Sequence, residues 1–117
     1  MKTNKIKRLG LIGNAKKPEC ASIIRKASRL IERAGRTALV DGNARSLARE
    51  ADVLLVFGGD GTMLRAARDI AGSKTPVLGI NIGGLGFLTA VSSKELSRAL
   101  EYLWRGYPVA AVGSTVP

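Results

Sequence analysis

The chain has 117 residues, of which 45% are hydrophobic and 24% charged, proportions typical of one soluble globular domain rather than a disordered chain. Nineteen Lys and Arg residues against nine Asp and Glu residues give a net charge of +10. This balance fits a polyanionic partner, either a nucleic acid or a small phosphorylated molecule. The basic residues are spread along the chain without an arginine-rich block, so a solvated basic surface is the alternative interpretation for most of them. Because aromatic residues make up only 4%, a base-stacking surface for single-stranded nucleic acid is disfavoured.

The residue types that are rare or missing exclude several kinds of site. The chain contains no His and a single Cys, Cys20. His-based catalytic triads, most zinc sites and an internal disulfide are therefore excluded. The apolar segment that follows the first basic residues, 9–12, is too short for a signal peptide or a membrane span. These observations predict a cytoplasmic protein without a membrane partner.

Short apolar segments alternate with segments of helical periodicity along the chain. Strands are predicted over 9–13, 37–40, 53–57 and 76–80, and the third is a continuous apolar run typical of a strand buried on both faces. Helices are predicted between these strands and after the last of them. The helix after the third strand is predicted to bury Leu64, Ala67, Ile70 and Ala71. The last helix is predicted to begin with a capping box of Ser92 and Glu95 and to bury a face that includes Trp104.

This alternation predicts an α/β fold with a mostly parallel, Rossmann-like sheet and helices on both faces, a three-layer sandwich. Residues 1–108 are assigned to this domain. The small apolar residues of 109–117 are interpreted as a tail or as the entry into a second domain. Ligands of such sheets bind beyond the carboxyl ends of the strands. The two glycine-rich stretches, 58–61 and 83–86, are both predicted to emerge at that edge.

The segment Phe57-Gly58-Gly59-Asp60-Gly61-Thr62 joins the predicted buried strand to a helix. Its glycines permit close approach of the backbone to a ligand, and the helix N-terminus suits a phosphate. Neither a Walker A loop nor a Gly-x-Gly-x-x-Gly fingerprint is present. A carboxylate in such a turn suits a bound magnesium ion or a substrate hydroxyl that must lose its proton. Asp also caps helices well, and the residues alone leave both interpretations of Asp60 open.

Two motifs together resemble a known family. Gly58-Gly59-Asp60-Gly61-Thr62 is similar to the motif that NAD kinases share with diacylglycerol and sphingosine kinases and, loosely, with phosphofructokinases. The stretch 78–89, which contains Leu85-Gly86-Phe87-Leu88-Thr89, resembles the NAD kinase signature, whereas lipid kinases carry a Gly-Thr-Gly-Asn-type sequence there. On both motifs and their spacing, the chain is identified as a member of the NAD kinase family.

The resemblance implies transfer of a phosphoryl group to the 2′-hydroxyl of the adenosine ribose of NAD, giving NADP. The implied donor is ATP or polyphosphate, and the implied metal is Mg²⁺, for which no protein ligand is assigned. Asp60 takes the role of the family's proton acceptor. Arg65 would contact the dinucleotide, and Phe87, with Leu88 beside it, would border the adenine. The remaining implied nucleotide-binding residues are those around the aspartate: Gly58, Gly59, Gly61 and Thr62.

The resemblance covers residues 9 to about 107, and the family's second, β-rich domain is absent from this sequence. We therefore expect the isolated chain to be an incomplete enzyme, and the complete enzyme to be a homo-oligomer whose partners are small-molecule nucleotides. The alternative is a catalytically inactive nucleotide-binding module or fragment. A basic nucleic-acid-binding domain ranks lower because no helix-turn-helix, zinc or aromatic signature supports it. A lipid kinase ranks lowest.

Overall fold

The computed structural model describes residues 6–14, 16–82 and 91–115, with side chains up to residue 112. The strands are β1 (Arg8–Gly13), β2 (Thr37–Leu39), β3 (Val53–Gly58), β4 (Val77–Asn81) and β5 (Val91–Ser92). The α-helices are α1 (Pro18–Arg33), α2 (Ala44–Glu50), α3 (Asp60–Asp69), α4 (Leu96–Trp104) and α5 (Val109–Thr115), and a 3-10 turn covers Ser93–Glu95. No helix in these ranges is long and apolar enough to cross a membrane.

The five strands form one sheet in the order β2-β1-β3-β4-β5, and every pairing among them is parallel. β3 lies in the middle of the sheet, paired with β1 from Leu9↔Val53 to Gly13↔Phe57 and with β4 from Leu54↔Val77 to Gly58↔Asn81. Its central position explains why it is a continuous apolar run, because a central parallel strand is covered on both faces. The predicted α/β fold with a parallel sheet is confirmed.

Alternate residues of β3 belong to two separate cores, one on each face of the sheet. Val53, Leu55 and Phe57 pack with residues of α1, α4 and α5. Leu54 and Val56 pack with residues of α2 and α3. Because all five of these side chains are fully buried, β3 holds both helical layers to the sheet. The predicted three-layer arrangement is therefore confirmed.

The prediction of which face of α3 is buried is wrong for three of its four residues. Met63, Ala66 and Ile70 are buried, whereas Leu64 is 51% exposed and Ala67 and Ala71 are exposed. The two candidate faces are both apolar at helical spacing, and they differ only by a rotation of about 100°. Packing against the sheet decides which of these faces is buried, and the local periodicity of the sequence carries no information about that packing.

The predicted capping box is also not formed as expected. The Ser92 hydroxyl accepts a hydrogen bond from the Lys94 N–H at 3.2 Å, which caps the 3-10 turn rather than α4. Glu95 itself occupies the N-cap position of α4. The structure also adds two elements that the sequence did not indicate, the two-residue strand β5 and the helix α5. Val112 of α5 is fully buried in the core. The assignment of 109–117 as a tail or domain entry stays a prediction.

Side-chain hydrogen bonds stabilise the amino ends of β1, β2 and β3. The Asp52 carboxylate accepts hydrogen bonds from the Lys7 and Arg8 N–H groups at 2.8 and 2.9 Å. The Arg36 guanidinium donates to the Ile6 carbonyl at 2.8 Å and lies 3.9 Å from the centre of the Trp104 ring, a cation–π contact. Trp104 is thus a packing residue, as predicted, and this end of the sheet is occupied by structural contacts.

Candidate active site

The order of the strands places a crevice at one point of the sheet. From β1 the chain continues to β2 on one side of the sheet, and from β3 it continues to β4 on the other side. The direction in which strands are added to the sheet therefore reverses between β1 and β3. In doubly wound sheets of this order, ligands bind beyond the carboxyl ends of the strands at this switch point. A cavity of about 1040 Å³ lies there. Most of its lining comes from the carboxyl ends of β1 and β3 and from the segments that follow them, and Ala44 at the start of α2 and Ile82 after β4 complete it. The residues from β1, β3 and the segments after them are Ile12, Gly13, Asn14, Lys16, Lys17, Pro18, Glu19, Cys20, Phe57, Gly58, Gly59, Gly61, Thr62, Arg65, Ala66 and Asp69.

The turn from β3 to α3 forms one wall of the cavity. Gly58 has a φ of +153°, and its carbonyl accepts a hydrogen bond from the Ile82 N–H at 3.2 Å. Gly59 is the N-cap of α3, in extended conformation, and its carbonyl accepts the first helical hydrogen bond, from Met63, at 3.1 Å. Asp60 is therefore the first residue of the helix and does not occupy the N-cap position. The N-terminus of α3 thus begins at this wall of the cavity, and a helix N-terminus suits an anion.

We expect Gly58→Ala to destabilise the protein by about 1 to 3 kcal/mol and to weaken nucleotide binding. A Cβ at this position would lie 2.7 Å from Thr62 Oγ1 and 2.9 Å from Thr62 Cβ, on a backbone conformation that side chains rarely adopt. The matched control is Gly61→Ala, because a Cβ at Gly61 would meet nothing within 4 Å. Urea unfolding of the two variants measures the difference. Equal stability of both variants would contradict this account of the turn.

The turn from β1 to α1 forms the opposite wall. The Asn14 side chain accepts a hydrogen bond from the Lys16 N–H at 3.1 Å, and its carbonyl accepts one from Lys17 at 3.0 Å. The end of β1 lies close to both α1 and β3, because a Cβ at Gly13 would lie 2.5 Å from Cys20 Sγ and 2.9 Å from the Phe57 carbonyl oxygen. Gly13 therefore allows α1 to pack closely on this end of the sheet.

Cys20 lies at the base of the cavity and is 4% exposed. Its thiol donates to the Phe57 carbonyl at 3.7 Å. Burial raises the pKa of the Cys20 thiol, against smaller lowering effects of the Asn14 backbone and the Lys17 charge. Because a thiol with a raised pKa remains protonated at neutral pH, Cys20 is a packing residue with little nucleophilic character, as its apolar neighbours in the sequence suggest.

The charges around the cavity favour an anion. Lys16 and Lys17 lie on one wall and Arg65 on the other, against the two carboxylates of Glu19 and Asp69. Within the described part of the chain, no group of three or more His, Cys, Asp and Glu side chains is placed to hold a metal ion. The site therefore suits a phosphorylated ligand that brings its own negative charge.

The structure brings five of the eight predicted site residues to the cavity: Gly58, Gly59, Gly61, Thr62 and Arg65. Asp60 is half-buried in the same turn but is not among the residues that line the cavity. Phe87 and Leu88 lie outside the described residues. The catalytic and binding roles of all eight stay predictions.

Comparison with known proteins agrees with the motifs. Residues 40–107 match the model of the ATP-NAD kinase N-terminal domain. The chain belongs to the NAD kinase family. An NAD kinase of Solibacter usitatus is 37% identical over 113 residues, which cover 86% of this chain and 39% of that protein. The chain therefore spans about two fifths of the length of such a relative.

Two solved structures of NAD and NADH kinases share the fold. Yeast NADH kinase complexed with NADH matches with a TM-score of 0.72 at 17% identity, covering 87% of this chain and 37% of that one. An NAD kinase from Archaeoglobus fulgidus in complex with ATP matches with a TM-score of 0.65 at 22% identity, covering 81% of this chain and 36% of that one.

Several residues that line the cavity of this NAD kinase domain were not predicted as site residues. They comprise the β1–α1 turn and the outer part of the α3 wall, including Asn14, Lys16, Lys17 and Asp69. A signal for the first group was present, because a predicted strand runs directly into a turn with two lysines at the edge where ligands bind. No comparable signal marked Asp69, since its place on the wall depends on how α3 is rotated.

Proposed function

We propose that this chain provides the donor-binding and catalytic part of an NAD kinase, which transfers a phosphoryl group from ATP or polyphosphate to the 2′-hydroxyl of the adenosine ribose of NAD. The observation that carries the proposal is the glycine turn 58–62 on the wall of the switch-point cavity, in a chain of this family. Backbone amides of the α3 N-terminus, together with Lys16 and Lys17, suit the donor phosphates. Arg65 supplies a further positive charge on the facing wall.

In this proposal Asp60 accepts the proton of the attacking ribose hydroxyl. Its position as the first residue of α3, after the Gly59 cap, leaves the capping function to the backbone conformation of Gly59. A carboxylate within hydrogen-bond reach of a hydroxyl contributes as a general base. Transfer of the phosphoryl group depends mainly on positioning and charge stabilisation. In this proposal Asp60 acts on the acceptor hydroxyl, and the amides of the turn bind the donor phosphates.

A Mg²⁺ ion, when bound, would neutralise charge on the donor phosphate oxygens. Protein sites for Mg²⁺ commonly use one or two carboxylates together with substrate phosphates and water. The absence of a larger acidic cluster among the described residues fits such an arrangement. We also propose that the complete enzyme is cytoplasmic and forms a homo-oligomer.

We expect ATP and NAD to perturb the amide NMR signals of residues 58–65 before any others when each is titrated into the 117-residue chain. The physical reason is that the helix N-terminus of α3 suits phosphate, while the net charge of +10 raises the rate of encounter. Shifts confined to the basic stretch 2–8 would indicate nonspecific attraction and would contradict the proposed site.

A further inference from the structure

Cys20 lies where the first turn of α1 meets the end of β3. It lines the cavity, and only 4% of its surface is exposed. Its thiol donates a hydrogen bond to the Phe57 carbonyl at 3.7 Å. Because Phe57 directly precedes Gly58, this hydrogen bond joins α1 to the backbone from which the glycine turn begins.

The sulfur of Cys20 has little room to move. A Cβ at Gly13 would lie 2.5 Å from Cys20 Sγ, 2.9 Å from the Phe57 carbonyl oxygen and 3.1 Å from Ile24 Cδ1. The thiol and the carbonyl therefore pack together against the backbone of β1. Since backbone atoms form this contact, a change in the size of residue 20 is expected to shift the first turn of α1 relative to the sheet.

The Cys20 sulfur also interacts with the turn between β1 and α1. Burial raises the pKa of the thiol, while a backbone hydrogen bond from Asn14 and the charge of Lys17 lower it by less. The thiol therefore stays protonated at neutral pH and remains a donor to Phe57. Asn14 in turn accepts hydrogen bonds from the N–H groups of Lys16 and Lys17, the first through its side chain and the second through its carbonyl. One sulfur atom thus interacts with the backbone of both segments, the one that carries the lysines and the one that begins the glycine turn.

We infer that Cys20 is a positioning residue for the phosphates of the bound nucleotide: its sulfur fixes the turn that carries Lys16 and Lys17 relative to the start of the glycine turn 58–62. The inference rests on the proposed function, which assigns the phosphates to these two turns. Groups on separate segments bind one ligand well only when their separation is held to within about 0.5 Å, and packed neighbours with hydrogen bonds supply that constraint. Cys20 acts through the two turns and takes no part in the chemistry.

The test measures ATP binding to the 117-residue chain and its variants by calorimetry, at a temperature at which all of them are fully folded. Cys20→Ala removes the donor and the volume of the sulfur, and we expect it to weaken ATP binding about fivefold, the size expected for one lost hydrogen bond. Cys20→Ser keeps a donor at this position and should stay within about twofold of the unmodified chain.

The matched control is Ile31→Val. Ile31 is a fully buried residue of the same helix and the same core, roughly 16 Å further along the helix axis at 1.5 Å per residue, and it does not line the cavity. Loss of its methyl group should lower the folding stability and leave ATP binding unchanged.

A second measurement separates positioning from general packing. In a chain that already carries Lys16→Ala and Lys17→Ala, Cys20→Ala should weaken ATP binding by less than about twofold, because the turn no longer carries the cations whose position the sulfur fixes. A residue that only stabilised the fold would have the same effect with and without the two lysines.

The inference is overturned if Cys20→Ala leaves ATP binding unchanged, if Ile31→Val or Cys20→Ser weakens it as much as Cys20→Ala, or if the full loss persists without the two lysines. An unmodified chain that does not bind ATP would overturn both the inference and the proposed function. ATP results as expected, with no phosphorylation of NAD by the complete enzyme, would overturn the proposed function alone.

Discussion

Replacing Asp60 with Asn is expected to lower the rate of NADP formation by a factor of roughly 10² to 10⁴, the range typical of a lost general base. The enzyme for this measurement is a chimaera in which this chain replaces the matching 39% of the Solibacter usitatus relative and is joined to the rest of that protein. Asn has the size of Asp and retains its hydrogen-bonding capacity, but it cannot accept the ribose proton.

The same substitution should change the folding stability by no more than about 1 kcal/mol, the range of a favourable charge near a helix N-terminus. Gly59 rather than Asp60 occupies the N-cap, so the helix keeps its cap in the variant. Melting temperature and turnover are measured together, with Asp41→Asn as the control for the loss of one exposed carboxylate. Normal turnover of the Asp60 variant would show that Asp60 is structural.

The 117-residue chain by itself is expected to form little or no NADP from NAD and ATP. Phosphoryl transfer depends mainly on positioning and on neutralisation of charge, so the loss of part of the positioning groups should affect the rate severely. The 117 residues span 39% of the length of the Solibacter usitatus relative. We expect the chain to bind ATP nevertheless, because the described cavity is formed within this domain alone.

The assay compares the chain with the chimaera under the same conditions, with magnesium present. Kinase turnover is commonly on the order of 1 to 100 per second, and the chimaera should approach that range. Turnover of this size by the 117-residue chain alone would refute the prediction. An inactive chimaera that folds and binds ATP would instead count against the proposed activity.

The sequence by itself determined the class of the fold and the place of the glycine turn. The run Val53–Phe57 is apolar at every position, which is typical of a strand covered on both faces, and it forms the central strand of the sheet. The glycines at 58, 59 and 61 follow that strand directly, so their place at the carboxyl edge of the sheet follows from chain order. The family motifs are likewise local, because they consist of neighbouring residues.

Only the tertiary structure decided which residues lie opposite the glycine turn across the cavity. The sheet order places β1 beside β3, and this brings Lys16 and Lys17 to the wall opposite the turn, more than forty residues away in the chain. The rotation of α3 put Met63 and Ala66 against the sheet, left Leu64 exposed and set Asp69 on the cavity wall. Strand order and helix rotation depend on packing between distant segments, and local periodicity contains no information about which of two equally apolar faces meets the sheet.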